Sequence, residues 1–472
     1  MLYRGIVAVL LAAAQGVTAS FETEVQKILQ RPAFENATIG IEVRRLKTGE
    51  TVFSSDAYRS LVPASNQKLL TSALALRTLG ADFRYNTTVL ATAKPDNDGT
   101  LDGDIWLRGS GDPSLTSARL ADLAQEIADS GVKKITGKVY GDGTRFDGKR
   151  LGTGWAWDDE PYYYSAQVHG LNCDGNLVNV TVSPGKAAGH VAKVQINDRD
   201  ASKEDYVTVQ SVAMTGSDEG ISLDRERGTN TILISGSIPA GSDPVTNTIT
   251  IEQPSAYAAS RFALALKAAG VKVRTEPTRP RKTPDGVTKL AVSTSQPLAD
   301  LLKFFMKPSD NMYGEALIKT VGYTQNPDQA GSVDSAVAAA QAFFDDAGID
   351  YSGVYTVDGS GLSAMNTVTA TFLCSLLTYI HDSFSKSDKA IYMTALPIGG
   401  VDGTLASRFV GTPLEGNIKA KTGSLSGVSS LSGYVRAKNN ELYALSILMN
   451  HVLDTTEARG GQDDIAMALY SI

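Results

Sequence analysis

Three short polar runs in this chain carry the residue types needed for acyl transfer: Ser65-Asn66-Gln67-Lys68, Ser309-Asp310-Asn311 and Lys421-Thr422-Gly423-Ser424. Three residues apart at the start of a helix, Ser65 and Lys68 fall on one face within reach of each other. A serine at that position has the positive end of the helix dipole and free backbone N–H groups beside it, which favour an oxyanion developing there. The competing reading is a plain helix cap, for which Ser65 alone suffices. Capping gives no reason for Lys68, which must lie close to or inside an otherwise apolar helix surface. Such a lysine loses hydration, its pKa falls, and the neutral amine that a general base requires becomes accessible.

Lys421 is expected to reinforce this, because a second cation in the same cleft disfavours protonation of Lys68. The run Lys421-Thr422-Gly423 reads as strand, where Gly423 lets a substrate backbone approach closely. Thr422 and Ser424 then present hydroxyls to a carboxylate, and Lys421 supplies charge. Ser309-Asp310-Asn311 precedes a helix, so Ser309 can offer a hydroxyl and Asn311 an amide.

Each run alone is common. Ser-x-x-Lys recurs at Ser130/Lys133, Ser183/Lys186 and Ser383/Lys386, and Lys-Thr-Gly recurs at Lys47. Those copies sit at a helix end, in a turn, in a polar stretch with no apolar helix after it, and in a hairpin turn. Only Ser65 opens an apolar helix and has both partner runs downstream.

Around these runs, Ile39 to Arg45 alternates as a strand with a return at Thr51 to Phe53, and the helix from Ser65 ends at Gly80. From about Phe83 short strands dominate: Asn86 to Ala91, Leu101 to Leu107, Ile135 to Tyr140, and an almost wholly β stretch from Asn176 to Glu252. Helices at Ser117–Ser130 and Ser255–Ala269 interrupt them, and a connection with Pro277, Pro280 and Pro284 follows. Beyond Lys289 come helices at Leu298–Lys307, Met312–Val321, Ser332–Ala347 and Thr369–Phe384. Two strands, Ser430–Arg436 and Leu442–Met449, and a helix from Asp463 close the chain.

The chain has 472 residues, 42% hydrophobic and 20% charged, which is ordinary globular composition. Its length suggests about three domains at roughly 150 residues each. A net charge of −7 without a basic stripe excludes nucleic acid as a partner. Met1 to Ala19 reads as a cleaved export signal: Arg4, an apolar run from Gly5 to Ala14, then Val17-Thr18-Ala19. The mature protein is thus expected outside the cytoplasm, secreted or periplasmic, with no integral membrane segment. The two cysteines, Cys173 and Cys374, read as buried free thiols. The four histidines show no metal-ligand spacing, so no metal is expected. Sequons stand at Asn36, Asn86 and Asn179.

The three runs in this order resemble the S-x-x-K, S-D-N and K-T-G set of the serine penicillin-recognising enzymes. More closely, the chain is similar to the D-alanyl-D-alanine carboxypeptidase/endopeptidase family of the penicillin-binding protein 4 type. Gly111-Asp112-Pro113-Ser114-Leu115, Asp358-Gly359-Ser360-Gly361-Leu362-Ser363, Gly403-Thr404-Leu405 and Lys421 through Tyr434 carry that likeness. The resemblance implies an α/β (α+β) fold: an antiparallel sheet flanked by helices, with two β-rich modules inserted after the nucleophile helix. The 241 positions between Lys68 and Ser309 leave room for them. The implied layout is a core of 20–82 and 290–472, one inserted module of 83–165 and 250–289, and a second of 166–249.

The implied activity is hydrolysis of D-Ala-D-Xaa bonds in peptidoglycan-type stems, with β-lactams as acylating inhibitors and no cofactor. Ser65 attacks, Lys68 takes its proton, Ser309 and Lys421 relay it to the leaving amine, and Asn311 orients Lys68 and the substrate amide. Backbone N–H groups of Ser65 and Ser424 hold the oxyanion. Asp159, in the cluster Trp155-Ala156-Trp157-Asp158-Asp159-Glu160 before Tyr162, Tyr163 and Tyr164, matches an acidic residue that contacts a free amine on the stem. The cluster also reads as aromatics that simply pack two modules. Rival readings are a β-lactamase, esterase or D-aminopeptidase on the same scaffold, or a non-catalytic wall-binding or penicillin-sensing module.

Overall fold

The computed structural model describes residues 20–472 apart from 198, 204, 218 and 219, so the proposed export signal at 1–19 lies outside the described residues. Two compact units emerge. The first joins the chain up to Phe83 to Pro297–Gln325 and Val333–Ile472; the second is Arg84–Gln296 with Asn326–Ser332.

The first unit holds all three motif runs. Its helix α1 (20–29) leads into β1 (Thr38–Arg45) and β2 (Thr51–Ser55), then α2 (Gln67–Leu79). The chain returns as α3 (Leu298–Met306), α4 (Asn311–Gln325), α5 (Val333–Ala347), α6 (Ala370–Ser383) and α7 (Lys386–Ala395). It ends with β3 (Ile418–Leu425), β4 (Val428–Arg436), β5 (Leu442–Asn450) and α8 (Thr455–Tyr470). The strands form one antiparallel sheet in the order β3-β4-β5-β1-β2, with Ile41 opposite Ile447 and Lys421 opposite Ser432.

Both faces of this sheet are covered, which explains the near-continuous burial of β4 and β5. On one side Phe21, Val25, Ile28, Ile465 and Leu469 of α1 and α8 join Val43, Leu431 and Ile447 in a single core. On the other, α6 packs through Cys374, whose thiol donates to the Glu42 carbonyl, and Leu377, whose carbonyl accepts from the Tyr434 hydroxyl at 2.8 Å. Both cysteines are buried and free. Helix α2 is buried without a break from Gln67 to Leu76. A helix apolar nearly all round belongs inside a domain, and its polar residues there need a reason.

Two helices differ from the sequence reading. After Ser383 a helix follows that the sequence reading does not contain, though it is not an apolar one: Ser385 accepts from the Asp388 N–H at 3.1 Å and starts α7, whose buried Tyr392 donates to the Leu69 carbonyl of α2 at 3.0 Å. A helix burying only Tyr392 and Ala395 leaves almost no apolar stripe to read. The last helix starts at Thr455, not Asp463, with Asp454 accepting from the N–H groups of Thr456 and Glu457. Gly460 and Gly461 hid its first turns. The ring of Phe34 lies where a Cβ on Gly461 would stand, 2.6 Å away, so the glycine is a packing requirement.

The second unit carries one sheet ordered 288–294, 86–91, 105–109, 139–142, two further four-stranded sheets built from strands between 177 and 250, and a two-stranded pair of Thr100–Leu101 with Lys134–Ile135. Helices Ser117–Asp129 and Pro254–Ala268 share its core through Leu120, Leu123, Tyr257 and Phe262. Two expected strands are each broken in two. Leu101 to Leu107 becomes Thr100–Leu101 and Ile105–Gly109, and Ile135 to Tyr140 becomes Lys134–Ile135 and Val139–Asp142. The breaks meet: the Gly137 N–H donates to the Gly103 carbonyl at 3.0 Å, an approach that a Cβ on Gly137 would block. Among the described residues no helix is long and apolar enough to cross a membrane.

Candidate active site

The turn that carries Ser65 is built by local strain and one long-range contact. Ala64 takes a left-handed conformation at φ +46°, and Ala64–Asn66 forms a 3₁₀ turn that feeds directly into α2. Ser65 therefore lies one turn before the α-helix proper and caps nothing with its side chain. Asn66, at the capping position, instead donates its amide to the Ser430 hydroxyl of β4, and that hydroxyl donates to the Pro63 carbonyl at 2.7 Å. The turn is thus pinned to the sheet, and Ser65 stays half-buried while Lys68 is fully enclosed.

Lys68 lies within hydrogen-bond reach of three acceptors: Ser65 Oγ at 2.9 Å, Asn311 Oδ1 at 2.6 Å and the Ser360 carbonyl at 2.6 Å. Burial pushes its pKa down to about 8, against the opposing pull of Asp358, Asp310 and Glu315. In the neutral amine two N–H bonds remain, and two fixed carbonyl-type acceptors stand ready for them. The lone pair then faces Ser65 Oγ, which is the arrangement a general base needs.

Lys421 is fully buried on β3, its Nζ donating to the Thr422 carbonyl at 2.9 Å. Its pKa falls well below the ordinary value, through burial first and then repulsion from Lys68. The repulsion is mutual, so each cation disfavours protonation of the other.

Strand β3 is the sheet edge. Beside Lys419 that edge is covered, since Gly399 N–H donates to the Ile418 carbonyl and Ala420 N–H to the Pro397 carbonyl, both at 3.0 Å. Even-numbered residues therefore turn their N–H outward, and the same period sends the amides of Thr422 and Ser424 to the open part of the edge. Gly423 lies against the Ser65 turn: a Cβ there would stand 2.7 Å from the Pro63 carbonyl and 2.9 Å from the Ser65 nitrogen. Thr422 Oγ1 donates to Thr404 Oγ1 at 2.7 Å, and a cavity of about 370 Å³ beside the strand is lined by Thr404, Thr422, Ser424, Ser429, Arg408 and Arg459, among others.

We expect Gly423→Ala to lower the acylation rate constant by about 10²-fold, the cost of displacing a reacting group by roughly 1 Å. Rapid-mixing kinetics with a fluorescent penicillin measure it; an unchanged rate would show that the turn yields freely.

Ser309 is half-buried with φ +66°, a strained setting for a residue that is not glycine. It directly precedes Asp310, which accepts from the Tyr313 N–H at 3.0 Å and starts α4. Ser65, Lys68 and Asn311 are joined by hydrogen bonds and Lys421 by its repulsion with Lys68. Among the described residues no such contact joins Ser309 to Lys68 or Lys421. Asp159 lies in the second unit, in the turn Trp157–Asp159, where its Oδ1 accepts from the Tyr164 hydroxyl at 2.7 Å. Asp158 and Glu160, with Trp157 and Tyr162, line a cavity of about 380 Å³ there.

The sequence reading missed Glu315 and gave no role to the Asp358–Ser363 loop. Glu315 Oε1 accepts from the N–H groups of Gly359 and Ser360 at 2.8 and 3.0 Å, and Asp358 accepts from Gly361 and Ser363. A signal existed: Glu315 stands four residues after Asn311, one turn along the same helix face.

Comparison with known proteins decides the family. The model of the D-Ala-D-Ala carboxypeptidase 3 (S13) family matches residues 21–471. The chain belongs to that family. As a member of the S13 family it is a serine-type D-Ala-D-Ala carboxypeptidase. It is 38% identical over 457 residues to the D-alanyl-D-alanine carboxypeptidase of Actinomadura sp. (strain R39), covering 93% of this chain and 83% of that one. It is also 29% identical to the D-alanyl-D-alanine carboxypeptidase DacB of Haemophilus influenzae, over 88% of this chain and 86% of that one. The crystal structure of penicillin-binding protein 4 (dacB) from H. influenzae superposes with a TM-score of 0.82 at 27% identity, covering 94% of this chain and 98% of that one. The same protein complexed with a β-lactam gives 0.77 at 25% identity, over 94% and 98%.

Proposed function

We propose that this S13 enzyme hydrolyses the D-Ala-D-Xaa bond of peptidoglycan stems through an ester on Ser65, acting on terminal residues and on cross-links. The observation that carries the reading is the buried Lys68 amine between Ser65 Oγ, Asn311 Oδ1 and the Ser360 carbonyl. Ser65 Oγ attacks the carbonyl carbon as its proton passes to Lys68. The oxyanion is held by the N–H groups of Ser65 and Ser424, as the outward turn of Ser424 and the contact of Gly423 with the Ser65 amide support. The C–N bond then breaks, and the proton reaches the leaving amine by way of Ser309 and Lys421. Asn311 orients Lys68 and the substrate amide, and Lys421, Thr422 and Ser424 hold a terminal carboxylate where one exists. Water attacks the ester and restores Ser65. β-Lactams enter by the same first step and stop at the ester. Export places the enzyme with its substrate, and the insertion after the Ser65 helix comprises two modules, 83–165 with 250–289 and 166–249.

The test is incubation of the purified chain with a fluorescent penicillin and with a stem pentapeptide ending in D-Ala-D-Ala. Covalent labelling and release of one D-Ala support the reading; rapid turnover of the β-lactam without a lasting ester, and no D-Ala release, overturns it.

Asp159 is proposed to meet a free ammonium group on the stem. Tyr162 and Tyr164 stack beside it with ring centroids 5.6 Å apart, and aromatic faces suit a methylene stem and a cation. A partly exposed charge-assisted contact is worth on the order of 1–2 kcal/mol, so Asp159→Asn should raise KM about 5–30-fold for free-amine peptides. Penicillin acylation should stay within about twofold. Equal KM values for free and acetylated side-chain amines, in wild type and variant, reduce Asp159 to a partner of Tyr164.

A further inference from the structure

Ser360 presents a backbone carbonyl, and a carbonyl is aimed only as well as its peptide plane is held. Every polar atom of this plane and its neighbour has a fixed partner. On the far side of the Ser360–Gly361 peptide, the Gly361 N–H donates to Asp358 Oδ1 at 2.7 Å, opposite the carbonyl that meets Lys68. One residue earlier, the N–H groups of Gly359 and Ser360 both donate to Glu315 Oε1, and the Gly359 carbonyl accepts from Thr71 Oγ1 of α2 at 2.7 Å. Asn366 Nδ2 donates to the same Asp358 oxygen at 2.8 Å. Asp358, Glu315 and Ser360 are almost wholly shielded from solvent. Buried carboxylates cost free energy unless hydrogen-bonded, and here Glu315 Oε1 and both oxygens of Asp358 serve to aim one loop, while Glu315 Oε2 is buried without a partner among the described residues.

We propose that Glu315 and Asp358 are positioning residues that clamp the Ser360 carbonyl onto Lys68 and thereby fix which way the lysine lone pair points. Asn311 and Ser360 each take one N–H of the neutral amine. If the Ser360 carbonyl swings away, the amine rotates and its lone pair is shared among directions of which only one leads to Ser65. Asn311 and Glu315 share one face of α4, so a single helix places both the direct partner of Lys68 and the clamp for its second partner.

Electrostatics adds a second consequence. Burial, followed by repulsion from Asp358, pushes Glu315 up to about 8, with Lys319 pulling the other way. Lys68 is faced by Asp358, Asp310, Glu315 and Lys421, so the charge on Glu315 opposes release of the lysine proton. The amides of Gly359 and Ser360 pull against burial, favouring the charged form of Glu315.

The test rests on the acyl-enzyme reading and uses the full chain with a fluorescent penicillin, separating the initial binding constant from the first-order acylation step. Wild type must label at Ser65, and absence of that label would refute the function rather than the clamp. Glu315→Ala removes the acceptor of two amides and should slow the acylation step about 10–100-fold, with the initial binding constant within about threefold. Glu315→Gln keeps an acceptor oxygen, should lose less than Glu315→Ala, and should move the acylation pH limb to lower pH. A wild-type rate and pH limb in both variants overturns the proposal. If Glu315→Ala does not fold, the pH limb of Glu315→Gln decides alone, and an unmoved limb with an unchanged rate refutes the clamp.

Discussion

Ser65→Ala is expected to abolish both penicillin labelling and D-Ala release, with a thermal unfolding midpoint within a few degrees of wild type. The stability half follows from the turn. Ser65 caps no helix with its side chain, and the contacts that pin the turn belong to Asn66, Ser430 and Pro63. The hydroxyl's recorded partner is Lys68 Nζ. Removing it leaves a buried amine with Asn311 and Ser360 still in place, so the fold loses one hydrogen bond, about 1 kcal/mol. The chemical half has no such remainder. Without Oγ no ester forms, and general acid–base groups alone do not supply the covalent step. Mass spectrometry after exposure to penicillin checks it: an adduct on the variant would place the nucleophile elsewhere.

Lys68→Ala should slow acylation by about 10²–10⁴-fold, the range for losing a general base. Lys68→Arg should be about as poor. A guanidinium replaces the charge and can donate to Asn311 and Ser360, yet it does not deprotonate at working pH. A lysine that served only as a cation would be rescued by arginine, so this pair of variants separates base from structural charge. The pH dependence carries the same sign. The Lys68 pKa lies near 8, so the neutral form increases with pH up to that value and then levels off. Acylation by wild type should therefore rise about tenfold per pH unit between pH 5 and 7 and reach a plateau above roughly pH 9. A flat profile across that range would exclude Lys68 as the base in the resting enzyme.

What could be read from the chain alone was set by local chemistry. Strand and helix periodicity around Ser65, Asn311 and Lys421 follows from neighbours in sequence, as does the reach between Ser65 and Lys68 three positions apart. Burial of Lys68 also followed, because a lysine in a helix of Leu69, Leu70, Ala73 and Leu74 has few ways out. Boundaries were less legible where the apolar stripe was thin, as in α7, or where glycines answered to distant partners, as at Gly461 under Phe34 and at Gly137 against Gly103.

Tertiary structure alone decided that the Ser360 carbonyl holds Lys68, whereas the meeting with Asn311 was already implied by the family resemblance. Asn311 is 243 positions away and Ser360 is 292, and no spacing rule connects them to Ser65. A backbone carbonyl has no residue identity, so its role as an acceptor could not be read from any motif. The same holds for Glu315 and Asp358, whose work is to bind backbone N–H groups. It holds too for Lys421, whose pKa is depressed by burial first and then by its nearness to Lys68. The sequence by itself determined which groups can do the chemistry, since that is a matter of functional groups and short-range spacing. Which of them meet, in what direction and with what charge depends on packing between segments hundreds of residues apart. Burial there sets both the dielectric and the geometry.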